Sequence, residues 1–247
     1  MSTKVALVTG ASRGIGRAIA QRLASREFHV VLNYRANEEA ANSLAQELRE
    51  AGHACTPWQA DVSERDAVKQ MMSGIRRELG RLDVLVNNAG MLHEGLFFMT
   101  KPDTFWRVLE VNLGGVANCS RAAIPLLGRH KAGRIINIAS IAAMHGSAGL
   151  SAYAASKGAV LSLSKVLARE LGRMGVSVNV VAPGLVESDM TDALAKPEAR
   201  AHSLELQPVP RIGQPDEVAR VVEFLACDAP EYLTGEVIRV DGGSMIS

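Results

Sequence analysis

Seven short runs of strand character punctuate the chain: Lys4–Val8, His29–Asn33, Ala54–Ala60, Val84–Val86, Arg134–Ala139, Ser177–Val181 and Val237–Val240. Longer segments between them carry apolar residues at helical spacing. Ile15, Ile19 and Leu23 form one such stripe, Leu44 and Leu48 another, then Val68, Met72 and Ile75, and later Leu163, Leu167 and Leu171. Apolar strands alternating with amphipathic helices belong to a parallel sheet whose two faces are both covered. Gly52, Gly80 and Gly175 each fall where a helix should stop before the next strand. The pattern predicts one α/β domain spanning residues 1–247: a doubly wound, seven-stranded parallel sheet with helices on both faces. Leu185–Pro210 is the one long stretch without a clear strand, and its place after the sixth strand predicts a helical lid over a pocket.

Composition narrows the function classes. With 247 residues, 47% of them hydrophobic, the chain can bury a large core. Its 27 basic and 26 acidic residues leave a net charge of +1, which gives no reason to expect nucleic acid or a membrane surface as partner. Met1-Ser2-Thr3-Lys4 runs directly into the first strand without a signal-peptide pattern, and no apolar run approaches the ~20 residues of a membrane span, so a soluble cytoplasmic protein is expected. Cys55, Cys119 and Cys227 are odd in number, far apart and not in C-x-x-C order, and His93, His145 and His202 lack ligand spacing; neither a disulfide framework nor a metal site is indicated.

The first strand leads into Thr9-Gly10-Ala-Ser12-Arg13-Gly14-Ile15-Gly16 and then into a helix. Glycine is needed where backbone passes close to a pyrophosphate, and a helix N-terminus supplies N–H groups and positive potential. The spacing is T-G-x-x-x-G-x-G rather than the common G-x-G-x-x-G, and here the chain resembles the short-chain dehydrogenase/reductase family, with its Rossmann-type sheet. Asp61-Val62, Asn87-Asn88-Ala89-Gly90, Asn112, Ser140, Tyr153-x-x-x-Lys157 and Pro183-Gly184 follow in the family's order, and the resemblance runs from Thr9 to Gly242-Gly243. It implies a nicotinamide cofactor held by Gly10, Ser12, Arg13, Gly14, Ile15 and Gly16, with its adenine near Asp61 and Val62. Asn88, Ala89, Gly90, Pro183 and Gly184 would line the same site, with the Val186 backbone at the carboxamide and Ser188 near the pyrophosphate.

Cofactor choice is an electrostatic matter. Enzymes using NAD place a carboxylate at the end of the second strand, where it binds the ribose 2′-OH and repels a 2′-phosphate. Here the segment reads Val30-Val31-Leu32-Asn33-Tyr34-Arg35, with no acid before Glu38. Arg35 offers a permanent cation and Arg13 a second, so NADPH is expected.

Tyr153 and Lys157, four apart, share one helical face. A phenol ordinarily titrates near 10, and a neighbouring ammonium would favour its phenolate, bringing it toward working pH as a general acid or base. By the family resemblance, Ser140 hydrogen-bonds the reacting oxygen, Lys157 also holds the nicotinamide ribose, and Asn112 anchors a water relay. Ser140 lacks the G-x-S-x-G elbow of a nucleophilic serine, which removes a hydrolase triad with His145.

Within the family, Asn179-Val-Val-Ala-Pro-Gly184, Glu187-Ser-Asp-Met-Thr191 and Tyr232–Gly243 are most similar to 3-oxoacyl-[acyl-carrier-protein] reductases. The implied reaction is NADPH-dependent reduction of a 3-oxoacyl thioester carried on acyl carrier protein. The chain departs from that pattern at Met91-Leu92-His93-Glu94. An acidic carrier calls for a basic rim beside the active site, and Arg129, His130, Lys131, Arg134, Arg169 and Arg173 are candidates for it. Reduction of an acyl-CoA, sugar or steroid ketone, and a non-catalytic NADPH sensor, stand as alternatives. Family members are commonly tetramers, and Ala152, Ala155, Ala159 and Leu163 offer a small-residue face for helix packing.

Overall fold

A computed structural model describes residues 3–188, 204 and 207–246. In chain order the elements are β1 (Val5–Val8), α1 (Gly14–Ser25), β2 (His29–Tyr34), α2 (Glu38–Glu50), β3 (Cys55–Gln59), α3 (Arg65–Glu78), β4 (Val84–Asn87), α4 (Pro102–Leu109), α5 (Gly115–Leu127), β5 (Gly133–Ile138), α6 (Ala142–His145), α7 (Ser151–Leu171), β6 (Val176–Pro183), α8 (Pro215–Cys227) and β7 (Val237–Val240). All seven expected strands are present, within about two residues of their predicted ends. Most of the expected lid, 185–210, lies outside the described residues.

The strands form one sheet in the order β3-β2-β1-β4-β5-β6-β7, every pairing parallel. Successive side chains of a strand point to opposite faces, and both faces are apolar. Ala6 and Val8 of β1 join Val30, Leu32, Val86 and Ile136 beneath α1, α2 and α8, which contribute Ile19, Leu23, Leu44, Leu48, Val218 and Val222. Val5 and Leu7 point the other way, with Val31, Leu85, Ile135 and Val178, onto Val68, Met71 and Ile75 of α3, Cys119, Ala123 and Leu127 of α5 and Leu171 of α7. A continuous apolar strand therefore reads as one buried on both faces.

Strand order reverses between β1 and β4, and loops leaving the carboxyl ends on either side of such a switch point diverge and leave a crevice. Between α4 and α5 the helix makes one π turn, Glu110–Gly114. No described helix is long and apolar enough to cross a membrane.

Candidate active site

The glycine turn is pinned from both sides by polar side chains, two of them buried and one partly buried. Thr9, only 1% exposed, donates through Oγ1 to the Val86 carbonyl (3.3 Å) and accepts from the Asn88 and Ala89 amides (2.9 and 3.0 Å). From the loop just after β4, Asn88 Nδ2 donates to the carbonyls of Thr9 (2.9 Å) and Gly10 (3.1 Å). From β2, Asn33 Oδ1 accepts from the Gly10 amide (3.3 Å), while its Nδ2 donates to the Ala60 carbonyl (3.0 Å). Two glycines are obligatory in this clamp. Gly10 has φ +64°, and a Cβ on Gly16 would lie 2.2 Å from the Gly10 carbonyl oxygen. Helix α1 then starts with no side-chain cap and no acidic residue in its first turn, which leaves its N-terminus electropositive.

From this turn a cleft of about 570 Å³ runs along the carboxyl ends of the strands. One end is walled by Arg35, Asp61 and Val62, the middle by Gly10, Ser12, Arg13, Gly14, Ile15 and Gly16, and the other end by Ser140, Tyr153 and Lys157. Asn88, Ala89 and Gly90 border it on one side and Pro183, Gly184, Val186 and Ser188 on the other. A Cβ on Gly14 would lie 3.7 Å from Ser188 Cβ, so Ser188 faces the glycine turn across the crevice. Every residue expected at the site lines this one cleft except Asn112.

Asn112 stands immediately behind the wall, fully buried in the π turn. Its Oδ1 accepts from the Met91 amide (2.8 Å), and its Nδ2 donates to the Met91 carbonyl (2.9 Å) and to Ser156 Oγ (2.9 Å). Ser156 Oγ in turn donates to the Tyr153 carbonyl (2.7 Å). The asparagine thus ties the loop after β4 to the helix that carries Tyr153 and Lys157. A Cβ on Gly90 would lie 3.2 Å from Asn112 Oδ1 and 3.5 Å from Lys157 Nζ, which measures how closely these groups crowd.

Ser140 follows β5, and its hydroxyl accepts from the Ala142 amide (3.2 Å) and hydrogen-bonds the Tyr153 phenol. His145 is exposed, with Nδ1 on the Gly146 carbonyl (3.0 Å), so the partner of Ser140 is a tyrosine and not a histidine. Lys157 Nζ lies 5.8 Å from the centre of the Tyr153 ring, as a spacing of four requires, yet it donates to the Ile138 carbonyl (2.7 Å). Here the structure corrects the expectation that Lys157 lowers the phenol's pKa. Burial pushes Tyr153 up, with the Ser140 hydrogen bond opposing, and burial brings Lys157 down to about 8. Desolvation disfavours whichever form is charged, and it acts here on both partners at once.

The basic rim also needs correction. Arg129 and Lys131 precede β5, while Arg169 ends α7 and Arg173 precedes β6. All lie toward the amino ends of the sheet, roughly 20 Å from Ser140 at ~3.3 Å per strand residue. Lys131 packs against Gly175, where a Cβ would come within 2.6 Å of its Cα. Arg134 donates to the Ala229 carbonyl (2.8 Å) and lines a separate small cavity with Ser177 and Glu231. The small-residue face is split as well: Ala152 is buried, Ala159 and Leu163 are partly buried, and Ala155 is exposed.

Two site residues had no prominence in the sequence. Asn33 is the one polar residue of Val30-Val31-Leu32-Asn33 and is only 1% exposed; a lone amide inside a buried strand was the signal available. Arg107 donates to Asp61 Oδ2 (2.9 Å) from a helix 46 positions away, and nothing local announces it.

A family model described as Enoyl-(Acyl carrier protein) reductase matches residues 10–245. The chain belongs to the short-chain dehydrogenase/reductase family. Like the family, this short-chain dehydrogenase/reductase is an oxidoreductase. It is similar to a 3-oxoacyl-[acyl-carrier-protein] reductase of Staphylococcus aureus (strain Mu50), 43% identical over 241 residues that cover 98% of each chain. It is also similar in fold to a solved putative gluconate dehydrogenase from Agrobacterium tumefaciens, with a TM-score of 0.95, 30% identity, and 100% and 97% of the two chains covered. A gluconate 5-dehydrogenase from Burkholderia cenocepacia, solved with NADP and tartrate, gives a TM-score of 0.94 at 33% identity over 100% and 97% of the chains.

Proposed function

We propose that this short-chain dehydrogenase/reductase is a cytoplasmic, homotetrameric enzyme that uses NADPH to reduce a 3-oxoacyl group, carried on acyl carrier protein, to the 3-hydroxyacyl product. The carrier-linked substrate rests on the 43% identity with the staphylococcal reductase over nearly the full chain. The chemistry rests on one observation: a partly buried phenol, bonded to the Ser140 hydroxyl, at one end of a cleft that starts at an uncapped glycine turn.

The cleft fits a dinucleotide. A Cβ at Gly16 would block the close approach of the turn, and the first turn of α1 presents positive potential where a pyrophosphate belongs. Arg13 and Arg35 are exposed on the cleft wall, with no carboxylate at the end of β2, which suits a 2′-phosphate. The fold neighbour solved with NADP supports the same cofactor. When bound, the reduced nicotinamide supplies hydride to the carbonyl carbon.

The chain's own residues handle the proton and the oxygen. With its pKa above the ordinary 10, Tyr153 is a neutral phenol at neutral pH, the form able to donate a proton to the developing oxyanion. The Ser140 hydroxyl, already bonded to Tyr153, is placed to hydrogen-bond that oxygen and stabilises charge as it appears. Lys157 at about 8 is mostly cationic at pH 7, and its positive end lies within reach of the phenolate left by proton transfer. Asn112, through Met91 and Ser156, holds the two walls in register. The exposed apolar residues Trp106 on α4 and Val166 on α7 support burial of this surface in an assembly.

The test is NADPH oxidation with an acetoacetyl group on acyl carrier protein and on CoA, in wild type and Tyr153→Phe. Turnover that prefers the carrier and disappears in the variant supports the proposal; turnover with neither thioester ends it. A second reading, interconversion of a polyhydroxy acid and its keto form, is favoured by the two gluconate-dehydrogenase neighbours. Activity confined to 5-ketogluconate would select it.

A further inference from the structure

The end of the cleft farthest from Tyr153 is built on a three-residue loop after β3, Asp61-Val62-Ser63, and the hydrogen bonds of that loop converge on one side chain. Arg107 of α4 donates through Nη2 to Asp61 Oδ2 (2.9 Å) and through Nη1 to Ser63 Oγ (3.0 Å) and Glu110 Oε2 (3.3 Å). Asp61 Oδ1 accepts from the amide (2.9 Å) and hydroxyl (2.6 Å) of Ser63. Burial works against the Asp61 charge, but the Ser63 and Arg107 hydrogen bonds outweigh it and hold the carboxyl below its usual range. An isolated exposed ion pair contributes little. This one is partly buried, with side-chain exposures of 35% and 22%, and its cation is shared among three acceptors.

The same loop is fastened from α5. Asn118 Nδ2 donates to the carbonyls of Val62 (3.1 Å) and Ser63 (3.2 Å), and Val62 packs so tightly on Gly115 that a Cβ there would meet its Cγ2 at 2.6 Å. The loop is therefore mounted on α4 and α5 from either side of the π turn. A carboxylate has about four lone-pair positions. Three are occupied by Ser63 and Arg107, so about one remains at the cleft to accept a hydrogen bond from a ligand.

The glycine turn takes the pyrophosphate and Tyr153 marks the reacting end, so the heterocyclic base of the other nucleotide falls beside Asp61 and Val62. The geometry points to Arg107 as the positioning residue of this base-binding end: acting through Asp61 and Ser63, it fixes the direction in which the free carboxylate lone pair faces the exocyclic amine of a purine. This rests on the nucleotide reading proposed above. It also makes Arg107 a determinant of base affinity and not of the proton transfer, since its contacts stay at the end of the cleft remote from Tyr153.

The test compares wild type, Arg107→Met and Arg107→Lys with three probes: NADPH, adenosine 2′,5′-bisphosphate and reduced nicotinamide mononucleotide. Arg107→Met should weaken NADPH and the bisphosphate by a common factor of about tenfold, the size of one lost charge-assisted hydrogen bond. It should leave the mononucleotide and kcat at saturating NADPH unchanged, while Arg107→Lys recovers part of the loss. Should Arg107→Met not fold, Ser63→Ala removes one of the contacts, and a smaller, bisphosphate-selective loss is expected. Equal weakening of all three probes, or a fall in kcat with unchanged bisphosphate affinity, overturns the assignment. Wild type that binds both adenine-bearing probes while the variants bind them equally well overturns it alone. Wild type that binds neither overturns the nucleotide reading and this assignment together.

Discussion

The two ends of the sheet put buried polar groups to different uses. At the amino end, Asp83 accepts from the Val5 amide (2.8 Å) and pairs with Arg81 (2.6 Å), and Arg134 donates to the Ala229 carbonyl. These charges hold chain segments together, and Asp83 is matched by Arg81, while Arg134 is held by a backbone carbonyl. At the carboxyl end, Thr9, Asn33 and Asn112 are buried, Asn88 is partly buried, and all four are hydrogen-bonded, but what they hold is backbone that borders a cleft. There, too, a buried lysine gives its hydrogen bond to a backbone carbonyl and has no carboxylate paired with it among the described residues. The difference follows from parallel topology: helix N-termini converge on the carboxyl ends and helix C-termini on the amino ends. Basic residues gather near the amino end, where Arg169 in the last turn of α7 complements that helix's dipole, and an uncapped N-terminus faces the cleft.

That contrast can be broken experimentally. The largest effect is expected from Tyr153→Phe, which removes the proposed proton donor: thioester reduction should fall about 10³-fold, the scale of general acid catalysis, with NADPH affinity retained. A variant with substantial activity would show that another group donates. Gly16→Ala comes next, because its Cβ would lie 2.2 Å from a carbonyl that Asn88 holds in place. NADPH affinity should fall by about 100-fold with a lowered Tm, in line with the few kcal/mol of a buried backbone clash. Unchanged affinity would mean that the clamp is slack.

Lys157→Met tests the buried cation itself. The folded pKa of about 8 lies below the ordinary 10.5, so between those values the unfolded chain binds more protons and stability rises with pH. Below about pH 8 the cost of keeping the buried ammonium is fully present. The variant should therefore lose turnover yet unfold later at pH 7, by about 2 kcal/mol after the lost hydrogen bond to Ile138 is counted, and this advantage should shrink toward pH 10.5. Paired thermal melts at the two pH values measure it, and a destabilised variant at pH 7 would place Lys157 with the matched charges of the amino end. The smallest effects are expected at that end: Arg129→Ala and Arg173→Ala should change turnover of acetoacetyl-CoA by less than about twofold, as surface substitutions remote from a site do. A large loss in steady-state assays would show that the amino end reaches the reaction in the assembled enzyme.

The fold was legible because its signals are local and repeated. Val5 and Leu7 against Ala6 and Val8 already describe a strand buried on both faces, and Ile19 and Leu23 a helix lying on one of them. The membership of the site was legible because the glycine turn, Ser140 and the Tyr153–Lys157 pair keep the order and spacing of one family. Arg107 was not, because its partner lies 46 positions away on another element. Nor was the location of the basic cluster: Arg129 and Lys131 are close to Ser140 in number, but the whole of β5 separates them in space.

By itself, the sequence determined which elements form, in what order, and which chemical groups stand at the carboxyl ends of the strands. Tertiary structure alone decided the direction in which the pKa values of those groups move. Periodicity and spacing act over a few residues, whereas desolvation depends on everything packed around an atom. That is why Tyr153 and Lys157 were found in the sequence, while the upward displacement of the phenol and the downward displacement of the ammonium appeared only once the packing around them had removed water.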